Sequence, residues 1–501
     1  MLHYFLPFDV RIWTVLAVLA GVYLLRPKNR SPFPFVNKHP NDPFGKKASH
    51  ALQHAAGKII TEGLTRHSGP ITIAIPYGVK IVVPASLASW VKSNKDLDHG
   101  EVVKEDFLAG YPGFEALTTL LSEDEVLKTM IRTKLSQNPS TIATMNSSLS
   151  NGLSDLWGEK DTWHEIDWHK DTTGIIARAA SSVFVGPEKA NDPEWLELVQ
   201  TYVVSFFTAV NQLRAYPPWS RSIVQWFLPA PTTCRKLVPR ARTIMNEVII
   251  KRQQEAVKVE LEGSPGPVYD DALTWSQAAN AKAQAGDIQL SLAMAALFTT
   301  SEAFRQTLIE IARNQDIIKP LRKEVTEQVT AHGLTISALV NMALLDSVMK
   351  EAQRLSIALE RIASKDTALP NGQIIPRGSH LMVDSTDLWN PAVYSNPDQF
   401  DGYRFLRKRE AGDTSSQFVQ SSANYNVFGG GRHICPGRFF ANNELKLALT
   451  HILLKYDIRL SDGCDPKLMK IGFYTMVDPT VQLQVQRRKG VEGEDLLNIE
   501  V

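Results

Sequence analysis

A single cysteine lies in a glycine-rich run near the C-terminus, and its surroundings suit one strong bond to a metal. The run is Phe428-Gly-Gly-Gly-Arg432-His-Ile-Cys435-Pro-Gly437. One sulfur is too few for a metal cluster, whereas a haem needs one strong protein ligand on its proximal side. Glycines let the backbone approach a flat ring, and their N–H groups can point at the sulfur. We therefore predict that Cys435 is the axial ligand of a haem iron.

Two other side chains of this run also suit a haem. Phe428 can shield the loop from water, and Arg432 can form charge-assisted hydrogen bonds with a propionate. These residues resemble the haem-binding signature of the cytochromes P450, Phe-x-x-Gly-x-Arg-x-Cys-x-Gly, with every fixed position filled. The alternative is that Cys435 is a buried, inert thiol, which the surrounding pattern disfavours.

The resemblance implies further contacts with the haem propionates. Arg361 is similar to an arginine that reaches a propionate in relatives, so we pair it with Arg432. A planar guanidinium matches a carboxylate in a bidentate manner. His433 is expected to be a solvated neighbour, with a propionate contact as the alternative. Arg132 lies where relatives often place a tryptophan and a basic propionate ligand, but the tryptophan is absent here.

A charged pair precedes the cysteine by about eighty residues. Glu351 and Arg354 are three positions apart beside an apolar stripe. Taken alone, such a pair is usually exposed and stabilises a helix by about 0.3 kcal/mol. The family has a Glu-x-x-Arg pair here that is joined by a downstream arginine, and Asp401-Gly-Tyr-Arg404-Phe405 looks like that segment. The resemblance implies a buried ion network on the proximal side of the haem.

A threonine on a long helix is the expected catalytic residue. The segment Ala295-Ala-Leu-Phe-Thr-Thr300 is similar to the family's Ala/Gly-Gly-x-Asp/Glu-Thr, in which the threonine relays protons. Thr299 matches that threonine, Ala296 replaces the usual glycine and Phe298 replaces the usual acid. Protons must therefore arrive by another route. The alternative for Thr299 is a hydroxyl that bonds only to the previous helical turn.

Composition excludes several classes of protein. The chain has 501 residues, 44% hydrophobic and 21% charged, which allows a large buried core. Its net charge is +1, and it has no block of basic residues suited to binding along a phosphate backbone. A nucleic-acid partner is therefore not expected. Three cysteines do not make a disulfide framework and fit a reducing compartment.

The N-terminus predicts a membrane anchor. Ile12–Leu25 carries no charge, and basic residues and Pro32-Phe-Pro34 follow it. The uncharged run is shorter than the ~20 residues of a full span, and a signal peptide or a buried helix are the alternatives. The basic flank predicts a cytosolic catalytic domain. We expect an anchor at residues 1–27 and a catalytic domain at 28–501, and the resemblance implies that the anchor lies in the endoplasmic reticulum, with the sequons at Asn29 and Asn146 unglycosylated.

The remaining pattern predicts a mainly α fold with a minor β part, preceded by a transmembrane helix, and the resemblance implies that this is the cytochrome P450 fold. Alternating β-branched residues at 71–75 and 79–83 indicate a hairpin. Helices are expected at 287–315, apolar through residue 298 and therefore buried on most faces, and at 338–355. Short strands are expected at 372–375 and 379–383, and a helix directly after Cys435, whose N-terminus favours a thiolate.

The resemblance implies a haem-dependent monooxygenase. The enzyme would insert one atom of O2 into an apolar small molecule and reduce the other to water. The run from Cys435 to Lys446 looks most like fungal members that oxidise terpenoid or indole-terpenoid metabolites in secondary metabolism. Because no flavin- or nicotinamide-binding stretch is present, the electrons are expected from a separate NADPH-dependent membrane reductase.

Two other functions remain open at this stage. A haem-thiolate isomerase or dehydratase would need neither O2 nor a reductase, and Phe298 is the residue that permits it. A non-catalytic haem sensor or carrier on the membrane would have no turnover. A monooxygenase depends on NADPH and a reductase for turnover, whereas the isomerase or dehydratase does not. A change in the haem spectrum when terpenoids are added counts against the sensor or carrier.

Overall fold

The computed structural model describes residues 31–39, 41–42, 46–75, 78–122, 125–262, 266, 268–354, 359–422, 424–466, 469–471, 474–489 and 495–497. The expected anchor at residues 1–27 and the Asn29 sequon lie outside this part of the chain. In the described ranges, no helix is both long enough and apolar enough to span a bilayer.

Helices form most of the protein, so the predicted mainly α fold is confirmed. The helices are α1 (Lys46–His67), α2 (Ala88–Ser93), α3 (Gly100–Asp106), α4 (Glu115–Leu120), α5 (Glu125–Met130), α6 (Ser140–Trp157), α7 (Trp168–Phe184), α8 (Pro187–Ala190), α9 (Pro193–Arg214), α10 (Arg221–Val224), α11 (Pro229–Leu261), α12 (Ala272–Ala278), α13 (Ala285–Arg313), α14 (Ile318–His332), α15 (Ile336–Asn341), α16 (Ala343–Gln353), α17 (Arg404–Glu410) and α18 (Arg438–Lys455).

Within the part of the chain that the structure describes, the strands form one larger sheet and three small ones. They are β1 (Ile71–Ile75), β2 (Gly78–Val83), β3 (Leu97–Asp98), β4 (His164–Ile166), β5 (Glu360–Ala363), β6 (Thr367–Ala368), β7 (Ile374–Ile375), β8 (His380–Val383), β9 (Tyr456–Leu460), β10 (Met469–Ile471), β11 (Tyr474–Met476) and β12 (Leu483–Arg487). The five-stranded sheet has the order β1-β2-β8-β5-β3, and β2 and β8 pair in parallel. The predicted hairpin is β1 and β2, joined in antiparallel register from Ile71 opposite Val82.

Helix α13 runs through the main hydrophobic core, where it packs against α4, α7, α11 and α16. Leucine, alanine and methionine favour the helical conformation in its first half. Burial holds through Met294, but Ala295 is exposed and Phe298 is 43% exposed. The expectation that this helix is buried on most faces is confirmed, and Ala295, Phe298 and Thr299 lie on its exposed face.

The prediction of one continuous helix at 338–355 is wrong. Met342, at φ −71° and ψ 78°, separates α15 from α16. The carboxylate of Glu324 on α14 accepts hydrogen bonds from the amides of Leu344 at 2.6 Å and Leu345 at 2.9 Å. The Lys446 ammonium donates to the Met342 carbonyl at 3.2 Å. These distant side chains satisfy the free backbone groups of the two helix ends, and therefore stabilise a break that local periodicity does not predict.

Candidate haem-binding site

The cysteine turn owes its shape to three successive glycines. The Cys435 amide donates to the Phe428 carbonyl at 2.8 Å, which closes the turn. Gly429 and Gly431 have φ values of +70° and +63°, a region that favours glycine. A Cβ at Gly431 would overlap the backbone carbonyl of Lys92 at the end of α2. The glycines therefore allow α2 to lie directly against the turn.

The sulfur of Cys435 lies just before the N-terminus of α18. Burial raises the pKa of the thiol, while the amides of Gly437 and Arg438 act in the opposite direction by donating to the sulfur. Those amides and the helix dipole favour a negative sulfur. A metal cation adds the remaining stabilisation, since a thiol that coordinates a metal is deprotonated. The position therefore fits a metal-bound thiolate better than a free one.

Arg432 and Arg361 lie on two sides of the same turn. Arg432 donates through Nε to His433 Nε2 at 2.8 Å and through Nη2 to Asp98 Oδ2 at 3.1 Å. Arg361, on β5, is fully buried and donates from Nη2 to the Gly430 carbonyl at 3.1 Å. His433 is half-buried rather than solvated, with its ring edge-on to His99 at 6.2 Å between centroids. The structure thus brings Arg361 and Arg432 to one site, as their pairing requires.

This site carries an excess of positive charge, which the pKa values reflect. Burial and repulsion from Arg361 lower the pKa of Lys92 to about 8. Burial and repulsion from Arg432 lower the pKa of Arg361 to about 10, against the opposing attraction of Asp98. Burial and Arg361 lower the pKa of His433 to about 4. Carboxylates placed among these groups would relieve the repulsion, and the two propionates of a haem are such groups.

Two arginine N–H groups at the turn have no hydrogen-bond acceptor among the residues that the structure describes. They are Nε of Arg361 and Nε of Arg438, and both are buried. Buried donors without acceptors are rare and point to a bound group that accepts from them. An anionic porphyrin would supply acceptors of the right chemistry. The residues present therefore fit a haem.

Phe428 and Arg132 occupy different positions relative to the turn. The Phe428 ring is partly buried and meets Phe418 edge-on at 5.2 Å between centroids. Its place between the turn and the main core suits a shield against water. Arg132 is exposed on a single π-helical turn, Ile131–Leu135. Burial and repulsion from Arg132 lower the pKa of Arg438, whereas Cys435 opposes the change, so Arg132 borders the site.

The predicted ion network is present and buried. Glu351 Oε2 accepts from Arg354 Nε at 3.1 Å and from Arg404 Nε at 3.0 Å, and the three side chains are at most 5% exposed. Arg354 also donates to the carbonyls of Leu388 and Pro397, both at 2.5 Å. Because both cations share one carboxylate, Glu351 joins α16 to the segment that begins α17.

A buried lysine next to this network was missed by sequence reasoning. Lys350 donates to three carbonyls of one loop, those of Ser415 at 2.9 Å, Gln417 at 2.7 Å and Gln420 at 2.9 Å. Its ammonium also lies 3.9 Å from the centroid of the Tyr425 ring. This loop leads directly into the cysteine turn, so Lys350 fixes the approach to Phe428. Only the position next to Glu351 could have drawn attention to it.

Thr299 lies on the exposed turn of α13. Its hydroxyl donates to the Ala295 carbonyl at 2.8 Å, and both residues are exposed. The alternative of a back-bonded hydroxyl is therefore realised, yet the oxygen lone pairs remain available as acceptors. The Phe298 ring packs against Phe207 at 5.0 Å between centroids. No acid occupies the position before Thr299, as the sequence shows.

Comparison with known proteins identifies the family. The family model "Cytochrome P450" matches residues 126–486. The chain is 33% identical to cytochrome P450 monooxygenase adrA of Penicillium rubens, covering 95% of each chain, and 35% identical to cytochrome P450 monooxygenase 1 of Gibberella fujikuroi, covering 84% of this chain and 98% of the relative. The heme domain of cytochrome P450DA superposes with a TM-score of 0.66 at 16% identity, over 92% of this chain and 98% of that chain.

The fold and the cysteine turn define a haem-thiolate protein, and this chain belongs to the cytochrome P450 family. It is a cytochrome P450 monooxygenase that uses haem with a cysteine thiolate ligand. Cys435 is the residue that matches the family's ligand, and Arg361, Arg432 and Phe428 are those that would hold and cover the haem.

We expect Arg361→Met to weaken haem binding by about 10- to 100-fold. A hydrogen bond to a charged group contributes about 1.5–3 kcal/mol, and each 1.4 kcal/mol is about tenfold in affinity. Transfer of haem from the purified protein to apomyoglobin, followed in the Soret band, measures the change. The control is Arg459→Met, which removes a bond from Arg459 Nε to Gln484 at 3.0 Å far from the turn. Unchanged haem transfer from Arg361→Met would contradict the assignment.

Proposed function

We propose that this enzyme inserts one atom of O2 into an apolar small molecule, a terpenoid or indole-terpenoid of fungal secondary metabolism. The observation that carries the proposal is the cysteine turn within its cluster of cations, since this arrangement suits a haem thiolate. The proposal of an apolar substrate is supported by the exposed face of α13, where the apolar side chains of Ala295 and Phe298 are available for contact. The similarity of the run after Cys435 to fungal members supports the substrate class.

Each group of the chain has a separate task in this reaction. When bound, the haem supplies the chemistry of O2. Cys435 donates electron density through its thiolate, and Phe428 keeps water from the sulfur. Thr299 holds a hydroxyl on the exposed turn of α13, where it accepts and donates protons at Oγ1. The ion network of Glu351 keeps the proximal side rigid.

We further propose that a membrane-bound NADPH-dependent reductase supplies the electrons. Oxygenation consumes NADPH, O2, one proton and substrate, and yields the hydroxylated product, water and NADP+. The purified protein with reductase, NADPH and candidate terpenoids should form product that contains one 18O atom from 18O2. Conversion without NADPH or reductase would favour the isomerase or dehydratase. Candidate terpenoids that neither react nor shift the haem spectrum would favour the sensor.

The proposed location is the endoplasmic-reticulum membrane, with an anchor at residues 1–27 and the catalytic domain at 28–501 on the cytosolic side. An aromatic patch between α9 and α11 supports membrane contact. It consists of Trp219, Ile223, Trp226 and Phe227, which are between 55% and 82% exposed. Trp219 lies on the 3-10 turn Pro218–Ser220 and Ile223 on α10, and Trp226 and Phe227 follow shortly before α11. Exposed apolar patches of this kind occur at membrane surfaces.

Deleting residues 1–27 should release most of the protein from the membrane fraction, and changing the patch should release the rest. In the shortened chain, Trp219→Ser with Phe227→Ser removes about 3–6 kcal/mol of apolar burial if both rings enter the lipid. Flotation with liposomes measures the bound fraction. The control is Val268→Ser, another exposed apolar residue, at 92% exposure. Full retention after the deletion and both substitutions would contradict the proposed anchor and patch.

The sequon at Asn146 lies on α6 and is engaged by the protein. Its Nδ2 donates to the Leu497 carbonyl at 3.0 Å, and its Oδ1 lies 2.6 Å from His451 Nε2. A glycan on Nδ2 would displace the bond to Leu497. The proposal that this sequon is unglycosylated is thus supported by its packing as well as by the proposed cytosolic location.

A further inference from the structure

The residue that supplies protons to Thr299 has still to be identified, because Phe298 occupies the position where the family has an acid. The exposed or half-exposed residues of this part of α13 lie on one face: Ala295, Ala296, Phe298, Thr299, Glu302 and Ala303. Glu302 follows Thr299 by three positions, so their Cβ atoms are about 5–6 Å apart on the helix surface. The two residues therefore lie one helical turn apart on the same face of α13.

The Glu302 carboxylate is positioned by three neighbours. Its Oε1 accepts from the Val477 amide at 3.1 Å and from Gln306 Nε2 at 3.3 Å. Its Oε2 lies 3.5 Å from Arg305 Nη1. The Glu302 side chain is 16% exposed, so it is neither sealed in the core nor fully solvated. One oxygen is thus held by an amide, whereas the other faces a cation at a distance that leaves room for rearrangement.

Arg305 connects this carboxylate to the protein surface. Its Nε donates to Thr172 Oγ1 at 3.0 Å, and its Nη2 donates to the His169 carbonyl at 2.6 Å and to Thr173 Oγ1. Arg305 itself is buried, whereas His169 at the start of α7 is exposed. A row of polar groups therefore leads from the surface to Glu302 between α7 and α13. Such a row suits ordered water, because buried waters need several polar partners.

Other carboxylates of α13 are placed less well for this task. Asp287 forms a bidentate pair with Arg242 at 2.8 and 2.9 Å, and it precedes Thr299 by more than three turns. Glu310 pairs with Arg313 at 2.9 Å and lies three turns beyond Thr299. Glu302 is the carboxylate that shares the exposed face with Thr299.

We propose that Glu302 is a catalytic residue that passes protons to Thr299 in place of the missing acid. Glu302 passes a proton, through one water, to Oγ1 of Thr299, and the hydroxyl proton of Thr299 goes to the oxygen atom that leaves as water. Glu302 then takes a proton from solvent along the row of polar groups. Two such transfers supply both protons of the water formed, while NADPH supplies both electrons. This inference rests on the proposed monooxygenation.

The test compares Glu302→Gln with the unmodified enzyme. Glutamine keeps the size of the side chain and an acceptor for the Val477 amide, but it does not ionise. We expect NADPH oxidation to continue while product formed per NADPH falls about tenfold and hydrogen peroxide rises to match. The solvent deuterium isotope effect on product formation should increase. In the infrared pH-difference spectrum of the full chain, a carboxyl band should be lost in Glu302→Gln.

Three further variants make the result decisive. Glu302→Asp should restore part of the coupling, and Phe298→Glu added to Glu302→Gln should restore it from the family's position. The matched control is Glu310→Gln, a buried carboxylate of the same helix, which should leave coupling and the isotope effect unchanged. If Glu302→Gln alters only thermal stability, with coupling and isotope effect as in the unmodified enzyme, the proposal is overturned. An unmodified enzyme without NADPH-dependent product would instead overturn the proposed function.

Discussion

Replacing Cys435 by serine should abolish oxygenation, with a loss of at least about 1,000-fold in turnover because the thiolate donation that favours O–O cleavage disappears. A serine hydroxyl has the same shape but is a hard oxygen donor that stays protonated in this buried position. The glycine turn and its bond from the residue 435 amide to Phe428 do not involve the sulfur, so the chain should still fold. Product formation and haem content per chain are the measurements.

Cys464→Ser is the matched control for this experiment. Cys464 is half-buried, and its sulfur accepts from the Gln482 amide at 3.4 Å, remote from the turn. We expect this variant to retain haem and activity. If Cys435→Ser kept the activity of the unmodified enzyme, or if Cys464→Ser lost it to the same extent, the ligand would lie elsewhere.

Glu351→Gln should lower the free energy of unfolding by about 3–5 kcal/mol, the range for breaking a buried ion network by removing one partner. Arg354 and Arg404 would both remain buried, with carbonyl acceptors but without the carboxylate that balances their charge. Glutamine keeps the shape, so the loss reports on charge rather than packing. Denaturant unfolding of the holoprotein, followed by tryptophan fluorescence and by the Soret band, gives both the stability and the release of haem.

An exposed ion pair provides the comparison for Glu351. Lys323 and Glu327 are 3.8 Å apart on α14, with side chains 75% and 59% exposed. Such pairs contribute about 0.2–1 kcal/mol, so Glu327→Gln should change stability far less than Glu351→Gln. Equal effects from the two substitutions would mean that the buried network does not stabilise the proximal side.

The features that sequence predicts well are those with their residues close together in the chain. The cysteine turn occupies ten consecutive residues, and Glu351 and Arg354 share one helical turn. In such cases the spacing itself fixes which side chains meet. Arg404 was placed only because a second short segment resembled the family's, and its bond to Glu351 confirms that placement.

The features that sequence reasoning missed depend on contacts between distant segments. Lys92 and Asp98 meet the cysteine turn at Gly431 and Arg432, across more than 330 residues, and nothing in their local pattern indicates this. The break at Met342 depends on Glu324 and Lys446, which belong to other helices. Periodicity reports which face of a helix is apolar, but it does not report which carboxylate or ammonium reaches its ends.

The exposed turn of α13 shows that an apolar sequence pattern alone does not predict which residues are buried. An apolar run predicts burial, and Phe298 lies in such a run, yet Phe298 is 43% exposed although its ring packs against Phe207. The role proposed for Glu302 likewise follows from its contacts with Val477 and Arg305. In the sequence it is one charged residue after a threonine pair.

The most direct test is the difference spectrum of the purified full-length protein, reduced and exposed to carbon monoxide. A cysteine thiolate opposite carbon monoxide shifts the Soret band far to the red, and we predict this band for the unmodified chain and its loss in Cys435→Ser. A Soret band at the shorter wavelength given by histidine or a neutral thiol, in protein that has bound a full equivalent of haem, would contradict the assignment of Cys435.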